Sequence, residues 1–136
     1  MTHRAQLTAA WNSAWNDGRF AELEKLLAHG YRRFGRTSTS DRAELVRSIE
    51  SARTAFPDLH TTIEHIVEEQ DLVAVHWRST GTHLGPFHDL PVTGRAITTS
   101  GMTFARFEGD RVAEEWVSWD GGELFASLGV VNLWET

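Results

Sequence analysis

Cysteine is absent from this 136-residue chain, so no disulfide, thiolate metal site or cysteine nucleophile is available and the fold rests on packing alone. Only three prolines occur, and there is no biased segment or internal repeat, which excludes solenoid arrays and long linkers. No apolar run approaches the roughly 18 residues of a membrane span. The stretch Met1 to Ala10 lacks the apolar core of a signal peptide, so a cytoplasmic protein that binds no membrane is expected. Positive charge is also scarce: 13 Lys and Arg against 19 Asp and Glu leave a net charge of −6, which argues against a dedicated nucleic-acid binder. A glycine-rich phosphate loop, a Gly-x-Ser-x-Gly elbow and a basic stripe interleaved with aromatics are all missing. The length leaves room for one domain, 1–136.

Against a single tyrosine stand six tryptophans. Each brings a large apolar area and one N–H that wants a partner, so a small protein this rich in tryptophan packs an exceptional core or lines a cavity.

Leu7, Trp11 and Trp15 recur at a spacing of four with Ala10 and Ala14 beside them, one apolar helix face that Asp17-Gly18 stops near Asn16. Phe20, Leu23, Leu26 and Leu27 predict a second short helix, with Gly30 as its left-handed cap and a short Tyr31 to Phe34 segment after it. Asp41 and Glu44 form a capping box ahead of a third helix carrying Leu45, Val46, Ile49, Ala52 and Phe56, which Pro57 closes. From Leu59 the period becomes two, predicting four strands around Ile63 to Val67, Val73 to Trp77, Arg95 to Phe107 and Val112 to Trp119. Tight turns are expected at Glu69-Gln70-Asp71 and Glu108-Gly109-Asp110, a longer excursion over 81–94, and a last helix over 121–128 ending at Gly129. Helices first and a sheet afterwards is an α+β plan.

Five motifs in order carry a resemblance: Ala14-Trp15-Asn16-Asp17-Gly18, Ala55-Phe56-Pro57-Asp58-Leu59, Gly81-Thr82-His83-Leu84-Gly85, Pro91-Val92-Thr93-Gly94-Arg95, and Glu114-Glu115-Trp116 running to Asp120 and Leu128-Gly129. Over nearly its whole length the chain resembles the nuclear-transport-factor-2-like superfamily and, within it, the SnoaL-like polyketide cyclases and ester cyclases. The resemblance implies a cone-shaped barrel, three N-terminal helices packed in a strongly curved antiparallel sheet, a short C-terminal helix and a deep apolar cavity, assembled as a homodimer or homotetramer. It also implies intramolecular aldol ring closure without metal or cofactor, an Asp acting as base with a His nearby. An apolar cavity favours such chemistry by desolvating the carboxylate and raising its pKa.

The resemblance aligns the family's catalytic Asp with Val117, the His of the same His-x-Asp triplet with Glu115, and a further family His with Thr103. A valine moves no proton. Glu115 is therefore the candidate acid or base; its competing use is a place at the wet rim or a pairing with Arg106 across the hairpin. Strand alternation groups Ala113, Glu115, Val117 and Trp119 on the inner face. Asp120 is a second catalytic candidate and equally an N-cap, with Glu123 three residues on. His83 is a third, to polarise an oxygen at the cavity mouth or to brace its loop, with His88 able to join it. Trp11, Trp15, Trp77 and Trp119, with Thr103 and Val117, are the expected substrate-binding wall. His76, His83 and His88 invite a metal site, but His76 falls on the face opposite Trp77 and no carboxylate completes the spacing, so no metal or cofactor is expected.

Two classes of function follow. One is a cofactor-independent cyclase or isomerase acting on a small hydrophobic metabolite, flat and polycyclic, in a biosynthetic pathway. The other is a binding module that kept the cavity and lost the chemistry. A third, an epoxide hydrolase-like enzyme, requires an Asp-Arg-Asp set, which Arg106 could join only through a break in alternation near Gly101.

Overall fold

A computed structural model describes residues 2–129; Met1 and residues 130–136, the ends of the expected 1–136 domain, lie outside the described residues. Helix α1, His3–Trp11, begins where the Thr2 side chain accepts from the Ala5 N–H at 3.0 Å. It continues into a π-helical turn, Asn12–Asn16, and Gly18 in the left-handed region (φ 67°) ends the run. The wider turn brings Trp11 and Trp15 onto one wall, ring centroids 6.3 Å apart. Carbonyls left open at its end are held by Arg53, whose Nη1 donates to Trp15 O at 2.8 Å and Asn16 O at 3.0 Å.

Helix α2, Ala21–Leu26, passes directly into strand β1, Leu27–Phe34, because Leu27 already has extended dihedrals. The expected cap at Gly30 is thus corrected: Gly30 is a strand residue. The physical reason is that Leu27 and Tyr31, both fully buried, gain more from the sheet than another helical turn would give. Strand β2, Thr39–Ser40, folds back on β1. Helix α3, Arg42–Ala55, starts at the capping box Asp41–Glu44 and buries Leu45, Ile49 and Ala55.

Strands β3 (His60–Glu69), β4 (Leu72–Thr82), β5 (Ala96–Glu108) and β6 (Arg111–Trp119) follow as antiparallel neighbours, with Gln70 (φ 54°) and Gly109 (φ 61°) in the left-handed region at the two tight turns. Helix α4, Gly121–Ser127, ends before Gly129 at φ 81°. The sheet order is β2-β1-β6-β5-β4-β3, and β1 runs parallel to β6. The expected antiparallel sheet is therefore corrected to a mixed one. Without β1, the backbone groups along one side of β6 would lack partners, and a strand arriving from α2 in the direction of β6 supplies them. Register shifts at Leu27/Arg32, Ile63/His65 and Arg106/Phe107 mark the irregularities that go with curvature.

The inner face carries Val73, Val75, Trp77 and Phe107 against Leu7, Trp11, Leu45 and Ile49 from the helices. A second cluster joins Ala55, Phe56, Leu59, Ile97, Leu124 and Leu128. The segment 83–94 is fastened to the end of α3, since Leu84 and Gly85 N–H both donate to Ala55 O at 3.0 Å. No described helix is long and apolar enough to cross a membrane.

Candidate functional site

Between the inner sheet face, α1, α3 and α4 lies a chamber of about 460 Å³. Its aromatic wall is Trp11, Trp15, Trp77 and Trp119, the four tryptophans expected there, with Trp11 and Trp77 centroids 6.4 Å apart. The register explains how two indoles share one row: Trp77, Gly101 and Trp119 stand opposite one another on β4, β5 and β6. A Cβ on Gly101 would lie 2.5 Å from Trp77 Cζ2 and 2.8 Å from Trp119 Cβ, so this glycine makes the space the two rings occupy. One row further along, Thr61, Ser79 and Thr99 line the sheet floor. Thr61 and Ser79 hydroxyls bond each other at 2.8 Å, and Thr99 Oγ1 donates to Asp120 O at 3.0 Å.

Val117 lines the chamber, on the inner set with Glu115 and Trp119. Thr103 stands behind the wall instead: 1% exposed, it accepts the Trp77 Nε1–H at 3.1 Å and so fixes that ring. The expected direct role of Thr103 in the lining is corrected to this support, because the larger indole covers it.

Glu115 is buried at 5% exposure beside a small annex of about 20 Å³. Trp11, Trp15 and Arg33 line both annex and chamber and form their common wall. The single tyrosine, Tyr31, donates its hydroxyl to Glu115 Oε1. Burial raises the Glu115 pKa, while the Arg33 charge and the Tyr31 hydrogen bond oppose the rise without cancelling it. The Tyr31 phenol is pushed up in turn, first by burial and then by the Glu115 charge. The competing use of Glu115, a rim position or a bond to Arg106, does not occur: Arg106 Nη2 binds Glu114 at 2.6 Å on the outer face. Alternation through Gly101 is unbroken, so Arg106 stays outside.

Neither of the other two catalytic candidates lines the chamber. Asp120 caps α4, its Oδ1 accepting from the Glu123 N–H at 2.9 Å. Its own N–H goes to Ser100 O, and Glu123 Oε1 takes the Ser100 hydroxyl, so the box is only half formed. His83 is fully buried against Phe56, with Thr93 N–H donating to its Nδ1 at 3.2 Å; bracing the 83–94 segment is what this geometry does. His88 reaches the chamber mouth instead, with φ at 46° and its ring edge-on to Phe87. The backbone is left-handed again at Asp89 (φ 61°), and both exposed residues are spanned by the Phe87–Leu90 bridge, in which Leu90 N–H donates to Phe87 O at 2.9 Å. His76 pairs with His65 on the outer face, Nδ1 to Nδ1 at 3.1 Å, so His76, His83 and His88 are not brought together.

Tyr31 and Arg33 were missed as site residues because Gly30 read as a helix cap. Alternation of Leu27, Tyr31 and Arg33 along a strand would have found them.

No curated protein matches this chain. Among solved structures, AclR of Streptomyces galilaeus, provisionally assigned as a hydroxylase, is 26% identical over 95% of this chain and 86% of its own, with a TM-score of 0.85. IdmH of Streptomyces antibioticus, provisionally a polyketide cyclase, is 26% identical over 95% of this chain and 100% of its own, TM-score 0.83. A provisional polyketide cyclase of Acidithiobacillus ferrooxidans is 26% identical over 93% of this chain and 94% of its own, TM-score 0.82. The family model for SnoaL-like polyketide cyclase matches residues 5–128, and with the curved α+β sheet around a tryptophan-walled chamber this chain belongs to the SnoaL-like polyketide cyclase family, of the nuclear-transport-factor-2-like fold.

Proposed function

We propose that the protein is a cofactor-independent cyclase or isomerase whose acid and base is Glu115. The observation that carries this reading is the buried Glu115 carboxyl, hydrogen-bonded by Tyr31 and set one pleat from the position that Val117 occupies. A carboxylate with a raised pKa is a stronger base than one in water. It would take a proton from a carbon next to a substrate carbonyl, the electron pair passing to that carbonyl oxygen as an enolate. In ring closure the enolate carbon attacks a second carbonyl of the same molecule, and the resulting alkoxide recovers the proton from Glu115. The sum is an isomerisation, with no oxidant or metal required. The tryptophan wall suits a flat hydrophobic substrate.

Proton transfer of this kind is testable before the natural substrate is known, by following deuterium uptake at the α-carbon of 2-tetralone in D₂O by proton NMR. Catalysed exchange that Glu115→Gln removes is the expected result. Exchange unaffected by that substitution, or absent from the unmodified protein, overturns the assignment.

A second reading, a ligand-binding module without turnover, draws on one observation: among the described residues no carboxylate lines the wide chamber itself. It predicts a hydrophobic ligand bound tightly and recovered unchanged.

The assembly we propose is a homodimer through the outer sheet face. Val67, Ala74, Phe104, Trp116 and Phe34 stand in one register row across five strands, with Val67 64% and Phe104 51% exposed. A continuous apolar row of this length on an open face is the surface a second copy would cover.

A further inference from the structure

Five arginines of the chain are engaged with protein groups. Arg106 pairs with Glu108 and Glu114, while Arg32, Arg42, Arg53 and Arg111 hold backbone carbonyls. Arg33 lines the chamber, and among the described residues it has no ion-pair or hydrogen-bond partner. Its register partner on β6 is Glu115, but the Glu115 oxygen that accepts a bond takes it from Tyr31. Arg33 is half-buried and Glu115 is the carboxyl beside it, but that carboxyl is bonded by Tyr31 and held toward its neutral form by burial, so the guanidinium at the indole wall has no bonded counter-ion, which is unfavourable where its hydration is reduced.

Apart from His88 at the mouth and the hydroxyls of the sheet floor, the polar side chains of the chamber lie close together. Arg33 on β1, Ser38 and Ser40 around the β1–β2 turn, and Ser48 on α3 lie on one side, and among the described residues none of these three hydroxyls bonds a protein side chain. The hydroxyls of the sheet floor are already paired with each other or with backbone. Trp77 on β4, Ile97 on β5 and Leu124 on α4, elements that are not sheet neighbours of β1, supply apolar lining away from Arg33. The chamber is therefore amphiphilic, with one cationic, hydroxyl-bearing side and one flat apolar side.

We propose that Arg33 is a specificity residue that receives a carboxylate, so that the ligand is a flat apolar acid: fused rings or a conjugated chain against the tryptophans, with a carboxylate on the guanidinium and the serine hydroxyls beside it. This rests on the chamber being the ligand site, as proposed above, and deepens that reading. A guanidinium presents two parallel N–H donors that match the two oxygens of a carboxylate, a geometry that a neutral amide or ester does not satisfy. Bound there, the carboxylate would also orient the ligand, setting which of its carbons faces the common wall in front of Glu115.

The test compares 2-naphthoate with 2-naphthamide, which share ring system and size and differ in charge, by quenching of the intrinsic tryptophan fluorescence. The unmodified protein is expected to bind the acid about ten-fold or more tighter than the amide, a margin of about 1.4 kcal/mol. Arg33→Gln, checked for native circular dichroism, is expected to bring the acid to within about two-fold of the amide while leaving the amide unchanged; Arg33→Lys, which keeps the charge and loses the fork, should retain part of the preference. Should Arg33→Gln not fold, the Arg33→Lys comparison decides alone, an undiminished preference counting against the carboxylate fork. Equal binding of acid and amide by the unmodified protein overturns the inference while the chamber remains the ligand site. An equal loss of both probes in Arg33→Gln overturns it too, since Arg33 would then be a wall residue. If neither probe binds, the inference and the chamber as ligand site fall together.

Discussion

Replacing Glu115 by Gln should make the stability of the protein less dependent on pH, in a direction that the structure fixes. In the folded chain the carboxyl is 5% exposed and its pKa is raised, with burial the largest cause; unfolded, it titrates near the ordinary carboxylate value. Between the unfolded and the folded pKa the native state holds a proton that the unfolded state has released. Stability therefore falls as pH rises through that window, by at most about 1.4 kcal/mol per pH unit for one group. Below the unfolded pKa the contribution is fully present, and above the folded pKa it is lost. Gln does not titrate, so the Glu115→Gln protein lacks this slope. It also carries a pH-independent offset: its carbonyl can still accept from Tyr31, but its amide N–H groups enter a site whose other neighbours are apolar side chains and the Arg33 guanidinium, none of which accepts a hydrogen bond, at a cost of about 1–3 kcal/mol. The two effects separate in urea unfolding of both proteins at several pH values from 4 to 8. The expected result is a Glu115→Gln protein less stable at the acid end and relatively gaining as pH rises. A difference that stays constant over the whole range would refute the buried, proton-holding carboxyl on which the proposed chemistry depends.

Gly101→Ala should destabilise the fold by about 1–3 kcal/mol in the same assay, since the added Cβ meets Trp77 Cζ2 at 2.5 Å and Ser118 O at 2.7 Å; a loss below about 0.5 kcal/mol would mean that the indole row has room to spare. Thr103→Val, close in shape, strands the buried Trp77 N–H and should cost about 1–3 kcal/mol, whereas Thr103→Ser should recover most of it in denaturant titrations. Phe104→Glu places a charge in the middle of the outer apolar row and should turn a dimer into a monomer by sedimentation velocity; an unchanged sedimentation coefficient would locate any interface elsewhere.

Much of the fold was legible in local patterns. The capping box at Asp41 and Glu44, the left-handed turn at Gly109 and the period-two runs from His60 onward depend on neighbours a few residues away, and each element formed where its residues put it. Alternation also located Glu115 and Val117 on the inner face, because the one register shift of β6 against β5 falls at Ala113 and the pairing from Glu114 to Trp119 is regular. Local signals misled where a residue had two uses. Gly30 has the composition of a cap and serves in a strand; His83 sits in a motif beside the cavity and packs behind Phe56.

By itself, then, the sequence determined the α+β order of elements, the inner set of tryptophans and the carboxyl among them, since periodicity and capping are written in spacing. Tertiary structure alone decided that β1 would run parallel to β6, and so that Tyr31 would reach Glu115 and Arg33 would face the chamber. These pairings join residues about eighty positions apart, brought together by the demand of a strand edge for backbone partners and of apolar faces for cover. Spacing along the chain carries no record of such demands.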